Sequence, residues 1–295
     1  MTDRRGTWSY PTLVRFGAGR FAELPRAARA AGLARPLLVS DRGLAGSETV
    51  ARARALLAEA GLGDAVHAEL AGDPDDAALA AVLAALRAGG HDGVIALGGG
   101  AALDLGKLAA FMVGQSRPVW DFEDVGDNWT RADSSAVLPI VAVPTTAGTG
   151  SEVGRAGVLT DTARGRKIIV FHPKMLPAQV ICDPELTLTL PRALTVGTGF
   201  DALAHCLEAW LSPHWQPLSE GIALEGLRLS FAALPRVAEA PEDLEARADM
   251  MAAAAMGAVA FQRGLGAIDA LSHPLGARFH AHHGNTLEWD GDQLT

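Results

Sequence analysis

The residues of this chain best suited to chemistry are carboxylates and imidazoles set four apart. In FDALAHCLEAW (200–210), Asp201 and His205 stand at i and i+4, so on a helix both project from one face, close enough to share an ion. A helix-surface ion pair has the same spacing, so the neighbours decide. Phe200, Leu203, Ala204 and Leu207 are apolar, which points the pair into a dry interior, where charged groups need a partner such as a cation. Asp269 and His273 repeat the spacing in IDALSHPLGARFHAHHG (268–284), which holds four of the nine histidines. His283 lies fourteen residues past Asp269, about 21 Å along a straight helix, so a shared ion requires the chain to turn back. Pro274 and Gly276 can bend it. With His283 folded back, Asp201, His205, Asp269 and His283 can converge on one divalent ion, leaving His280 and His282 as solvated loop residues.

A second chemistry is written in glycine and threonine. GGGAALDLGK (98–107) puts three glycines where an apolar run ends and helical spacing resumes. There backbone N–H groups can approach a phosphate, aided by the dipole of the helix that follows. It is not a P-loop, because five residues separate Gly100 from Gly106 and Leu108 follows Lys107. The common dinucleotide fingerprint is missing as well, and a tight turn without ligand fits this stretch equally well. PTTAGTGSEV (144–153) adds Thr145, Thr146, Thr149 and Ser151 at another strand end. Two such polar ends suit a diphosphate and a ribose. Asp41, directly after PLLVS, is placed either to bind a ribose hydroxyl and repel a 2′-phosphate, favouring NAD over NADP, or to cap the next helix.

These residues need a scaffold. PLLVS (36–40), GVIALGGG (93–100) and LPIVAVPTT (138–146) read as buried strands. SETVARARALLAEAGL (47–62), DDAALAAVLAALRAGG (75–90) and AALDLGKLAAFMV (101–113) read as helices. The alternation predicts an N-terminal α/β domain over 1–185, a parallel sheet of Rossmann-like, dinucleotide-binding type covered on both faces. After DPELTLTLP (183–191) the pattern is helical, predicting an all-α C-terminal domain over 186–295, with a ligand cleft between the two. A net charge of −9 argues against nucleic acid or an anionic membrane as partner. Two cysteines outside any Cys-x-x-Cys exclude a disulfide framework or zinc knuckle. The N-terminus lacks the apolar run of a signal peptide, and the expectation is a cytoplasmic enzyme.

Taken in order, GGGxxxDxxK (98–107), PTTAGTGSE (144–152), DPELTLTLP (183–191), FDALAHCLEAW (200–210) and GLGAxxALSHPLG…HHG (264–284) resemble the iron-containing (group III) alcohol dehydrogenase family. The resemblance spans about Trp8 to Gly284. It implies NAD(H)-linked hydride transfer between a metal-bound alcohol and nicotinamide, or the reverse reduction of an aldehyde or ketone, with Fe²⁺ or Zn²⁺. By resemblance the metal ligands are Asp201, His205, Asp269 and His283, and His273 lies beside nicotinamide and substrate as a proton relay. Coenzyme contacts fall on Asp41, Asp73, Gly99, Gly100, Asp104, Thr145, Thr146, Thr149 and Lys167. Family habit also implies a homodimer.

This sequence departs from the family at several places. Position 269 is His in the family and Asp here, Ala101 replaces Ser, and Asp73 replaces Asn. After Gly284, NTLEWDGDQLT stands in place of an apolar helical continuation. One alternative is therefore a shortened relative that binds dinucleotide, and metal too, with poor turnover. A metal-free maleylacetate-reductase type is disfavoured by the intact Asp201/His205 pair. Two carboxylates around a divalent ion leave it near neutral, which weakens the Lewis acid and favours harder ions such as Mn²⁺. Asp269→His is accordingly expected to raise turnover of the metal-loaded protein in a coenzyme-absorbance assay; an unchanged or lower rate contradicts this charge argument.

Overall fold

Several helix ends of the first unit are set by capping residues legible in the sequence. The computed structural model describes residues Gly6–Trp8, 12–264, 266 and 268. The chain opens with β1 (Gly6–Trp8), β2 (Val14–Phe16) and α1 (Leu24–Ala30), followed by β3 (Pro36–Asp41) and α2 (Glu48–Glu59). Ser47 caps α2, its hydroxyl accepting from Val50 N–H at 3.3 Å. Next come β4 (Val66–Leu70) and α3 (Asp76–Gly89), capped by Asp75, which accepts from Ala78 N–H at 2.7 Å. Gly90 closes α3 at φ +57°, the left-handed geometry glycine adopts without a Cβ penalty. β5 (Gly93–Gly98), α4 (Gly100–Met112) and β6 (Ile140–Pro144) follow, then the hairpin of β7 (Ala156–Asp161) and β8 (Arg166–Phe171), and finally β9 (Gln179–Cys182).

Among the described residues the main sheet runs β1-β2-β9-β6-β5-β3-β4. β1 is antiparallel to β2, and every other neighbouring pair is parallel. The expected α/β domain with a parallel sheet is thus present, with one antiparallel edge strand added. Leu38, Ile95, Leu97, Val141, Val143 and Ile181 carry the core of one face, packed with Phe21, Leu24 and Leu57.

The second unit groups the described residues from Thr187 onward with Thr146–Gly150. It is built on α5 (Arg192–Leu211), α6 (Pro217–Glu239) and α7 (Leu244–Ala260), the helical region the sequence predicts. α6 continues through Pro235 to Glu239, beyond the run that the hydrophobic spacing marks. Small residues set the spacing. A Cβ on Gly226 of α6 would stand 2.5 Å from Cys206 Sγ, and one on Gly257 of α7 3.2 Å from it. Cys206 of α5 therefore fills the junction of three helices. Burial pushes its thiol up to about 12, so it is inert as a nucleophile at neutral pH. Cys182 is also buried and free. No helix among the described residues is long and apolar enough to cross a membrane.

α4 lies tight on β5 at Gly106, where a Cβ would lie 2.7 Å from Ala96 Cβ and 3.3 Å from Val94 Cγ1. Overpacking of this kind costs about 1–3 kcal/mol. Gly106→Val is expected to lower the urea midpoint correspondingly, and an unchanged midpoint would show that α4 lifts freely off β5.

Candidate functional site

Sheet topology selects where a ligand would sit. From β3 the chain adds β4 on one side, then crosses back to add β5, β6 and β9 on the other. The reversal falls between β3 and β5, and α/β sheets bind ligands beyond the carboxyl ends of strands at such a point. Asp41 ends β3 there. Its Oδ1 accepts from Leu44 N–H at 3.1 Å, closing a turn, whereas α2 is capped by Ser47. Its Oδ2 lies beside Gly98, 3.0 Å from where a Cβ on that residue would stand. Gly98 has φ +148° and no room for a side chain, since Ala102 Cβ would be 2.7 Å away. Thr145, at the end of β6, donates its N–H to Gly98 O at 2.9 Å and is 5% exposed.

Gly99 is the N-cap of α4 and Gly100 its first residue, with no side-chain cap. The N–H groups of the first turn are thereby left to an external acceptor, with the positive end of the helix dipole behind them. Asp41, Gly99, Gly100 and Thr145 are thus brought to three adjacent strand ends. Asp73 and Lys167 also come together, as an ion pair of 2.7 Å. Thr146 and Thr149 follow in the half-buried 146–150 loop, grouped with the helical unit.

Asp104 is engaged by the protein itself. Its Oδ1 accepts from Ser151 Oγ at 2.5 Å and pairs with Lys107 Nζ at 3.1 Å, while Oδ2 accepts from Val158 N–H at 3.0 Å. Lys107, 1% exposed, also donates to Ser151 O at 3.0 Å and to Ala156 O. This network fixes the segment after the threonine loop and the start of β7. Beside it, Glu152 is 2% exposed, and burial pushes its carboxyl up to about 7 against the attraction of Lys107. The sequence reading gave Lys107 and Glu152 no role; their position inside two glycine-flanked motifs was the available signal.

On α5, Asp201 and His205 are 2% and 5% exposed, with His205 Nε2 3.4 Å from Asp201 Oδ1. The spacing thus produces the buried pair expected from it. The His205 ring stands edge-on to Phe261 at 5.3 Å, and a Cβ on Gly257 would lie 3.0 Å from His205 Cβ, so α7 passes close behind. A carboxylate oxygen and an imidazole nitrogen, both withdrawn from solvent, form a donor set that fits Fe²⁺, Zn²⁺ or Mn²⁺. Among the described residues no third His, Cys, Asp or Glu joins them as a metal-holding group. Asp269, His273 and His283 lie outside the described residues. Glu208, one turn beyond His205 and 6% exposed, was not singled out from the sequence.

Two family models match the chain: iron-containing alcohol dehydrogenase over residues 11–184, and the C-terminal Fe-containing alcohol dehydrogenase family over 195–289. The chain is 39% identical over 280 residues to a 4-hydroxybutyrate dehydrogenase of Cupriavidus necator, covering 93% of this chain and 72% of the relative. It is 32% identical over 269 residues to an NAD-dependent methanol dehydrogenase of Bacillus methanolicus, covering 91% and 69%. Among solved structures, a 1,3-propanediol oxidoreductase superposes with a TM-score of 0.88 at 31% identity, covering 93% of this chain and 71% of the other. A sulfoacetaldehyde reductase of Bifidobacterium kashiwanohense, in complex with NAD⁺, gives 0.84 at 31% identity, covering 97% and 74%.

Glu152 gives the site a measurable pH signature. Its folded-state value of about 7 stands above the ordinary 4.5, so the folded chain holds the proton that the unfolded chain releases. Stability is fully present below about pH 4.5 and is lost as pH rises through 7, by about 3 kcal/mol. Glu152→Gln is expected to remove this component from a urea-midpoint profile between pH 5 and 8; an identical profile for the variant would falsify the assignment.

Proposed function

The chain belongs to the iron-containing alcohol dehydrogenase family, and on that premise we propose that it is a metal-dependent, NAD(H)-linked alcohol dehydrogenase and aldehyde reductase. The observation that carries the reading is the buried Asp201–His205 pair on α5. A buried carboxylate and imidazole on one helix face form a donor set suited to a divalent cation.

In this reading Asp201 and His205 hold the ion together with Asp269 and His283. A divalent ion bound there supplies a Lewis acid that makes a hydroxyl more acidic, while the nicotinamide coenzyme exchanges hydride with the substrate carbon. The first-turn N–H groups of α4, framed by Gly99 and Gly100, receive the coenzyme diphosphate. Asp41 engages a ribose hydroxyl through the oxygen not used by Leu44, and its charge disfavours a 2′-phosphate. Thr145, Thr146 and Thr149 supply hydroxyls, and Asp73 and Lys167 stand as further coenzyme contacts. Asp104 contributes by fixing the backbone around Ser151. His273 takes the role of the group that carries the substrate proton to solvent. The relative named for 4-hydroxybutyrate makes that ω-hydroxy acid and its aldehyde the first pair to assay.

With Fe²⁺ or Zn²⁺ added, the purified chain is expected to oxidise NADH, in preference to NADPH, on addition of the aldehyde. Asp201→Ala and His205→Ala are expected to lose stoichiometric metal and to slow turnover by more than about a hundredfold, since even outer partners of metal ligands are worth 10–100-fold. Full activity in either variant, or in metal-stripped protein, overturns the proposal.

A further inference from the structure

Arg247, the fourth residue of α7, is 3% exposed. Its Nε donates to Pro241 O at 2.6 Å and its Nη1 to Thr195 Oγ1 at 3.4 Å, while Nη2 is buried with no hydrogen-bond partner among the described residues. No carboxylate among them pairs with it. Asp243 and Glu245, at the start of α7, are spent on Arg236 at 2.7 and 3.4 Å, and Asp249 stands two positions on, off that face of the helix. Burial pushes the guanidinium down from its ordinary range, yet an arginine keeps its proton. The helical unit thus encloses a full positive charge with part of its donor set unspent, a costly state unless a counter-charge is supplied.

Arg247 lines a cavity together with Thr187, Thr195 and Thr198 and the apolar Leu190, Val237 and Met250, and the room inside is about that of one water molecule. The Thr195 hydroxyl is loosely held, with partners at 3.3 and 3.4 Å, so it can turn toward an occupant. Thr195 is also the fourth residue of its helix, α5, and its contact with Arg247 brings the positive ends of two helix dipoles together. At the opposing C-terminal end of α6, the Ala238 carbonyl is taken by Arg192 Nε at 2.8 Å. We propose that this cavity binds one small inorganic anion of halide type, held by Arg247 and Thr195. A water molecule matches the space and the hydrogen bonds but leaves the charge unbalanced, whereas a phosphate or a carboxylate balances the charge and exceeds the space. A monatomic anion, little larger than water, answers both demands. The site uses none of the residues assigned above to metal or coenzyme.

The test combines bromide-soaked crystals of the full chain with the chloride dependence of the thermal midpoint in the parent, Arg247→Met and Thr195→Val. An anomalous bromide peak is expected within hydrogen-bonding reach of the Arg247 guanidinium. The parent midpoint is expected to rise with chloride and level off as the site fills, while Arg247→Met shows only the general response to salt. Thr195→Val, which removes one hydrogen bond to a charge, is expected to need about tenfold more chloride for the same half-saturation. A cavity that holds water and no bromide overturns the proposal. So does a bromide peak accompanied by the same chloride response in parent and Arg247→Met, which marks an adventitious ion only. Should Arg247→Met fail to fold, an unshifted half-saturation in Thr195→Val overturns it.

Discussion

A lysine ammonium at 1% exposure is the constraint around which the α/β unit is arranged. Removing a charge from water costs several kcal/mol unless partners replace the hydration, and Lys107 finds them at three points: Asp104 on its own helix, the Ser151 carbonyl and the Ala156 carbonyl. None of these is exchangeable for a surface contact. Asp104 is in turn fixed by Ser151 Oγ and Val158 N–H, so α4, the 151–153 segment and β7 are tied by one polar knot. Packing follows the knot. Gly157 of β7 leaves only 2.9 Å between a virtual Cβ and Leu108 Cγ, an approach a larger residue would block. α4 is thereby held through its middle, at Asp104, Lys107 and Leu108.

Much of this scaffold was legible because local chemistry and tertiary packing agree. Ser47, Asp75 and Gly90 mark helix ends in the sequence and cap them in the structure, and PLLVS and GVIALG are buried almost throughout. The β7–β8 hairpin was not legible. In β7 the buried positions are Gly157, Leu159 and Asp161, so there the alternation expected of a half-buried strand is carried by one apolar residue in three. β4 is similar: only Leu70 of VHAEL is fully buried. Where a strand is held by its neighbours' backbones rather than by its own hydrophobic face, a period-two pattern has nothing to show.

The site divides along the same line. Asp201 and His205 could be paired from sequence because i and i+4 on a helix is a fixed geometry, and the structure buries them together. Glu208 lies on the same face, yet a glutamate on a helix reads as solvent-facing until its partner is known. That partner is a backbone N–H sixty residues away, and a backbone group has no identity in a sequence. Glu152 is a similar case: nothing in GTGSE distinguishes an exposed carboxylate from one that burial pushes up to about 7. Side chains that act on other side chains at fixed spacing can be read from sequence, whereas those that act on the main chain need coordinates.

The glycine turn gives α4 a start without a side-chain cap. α2 and α3, packed on the same sheet, each begin with a side-chain oxygen on a first-turn N–H, whereas α4 begins at Gly99 with none. An N-cap of Ser or Asp stabilises by about 1 kcal/mol over an uncapped start, and the three glycines add backbone entropy lost on folding. Such a start is a net cost to the folded chain alone. It becomes favourable when an anion takes the place of the missing cap, because the N–H groups and the dipole then act on a full charge. Of the two strands flanking the switch point, one ends in the acidic Asp41 and the other in the uncapped helix start. On the function proposed above, a dinucleotide fits both features in one molecule, with its diphosphate toward α4 and a ribose toward Asp41.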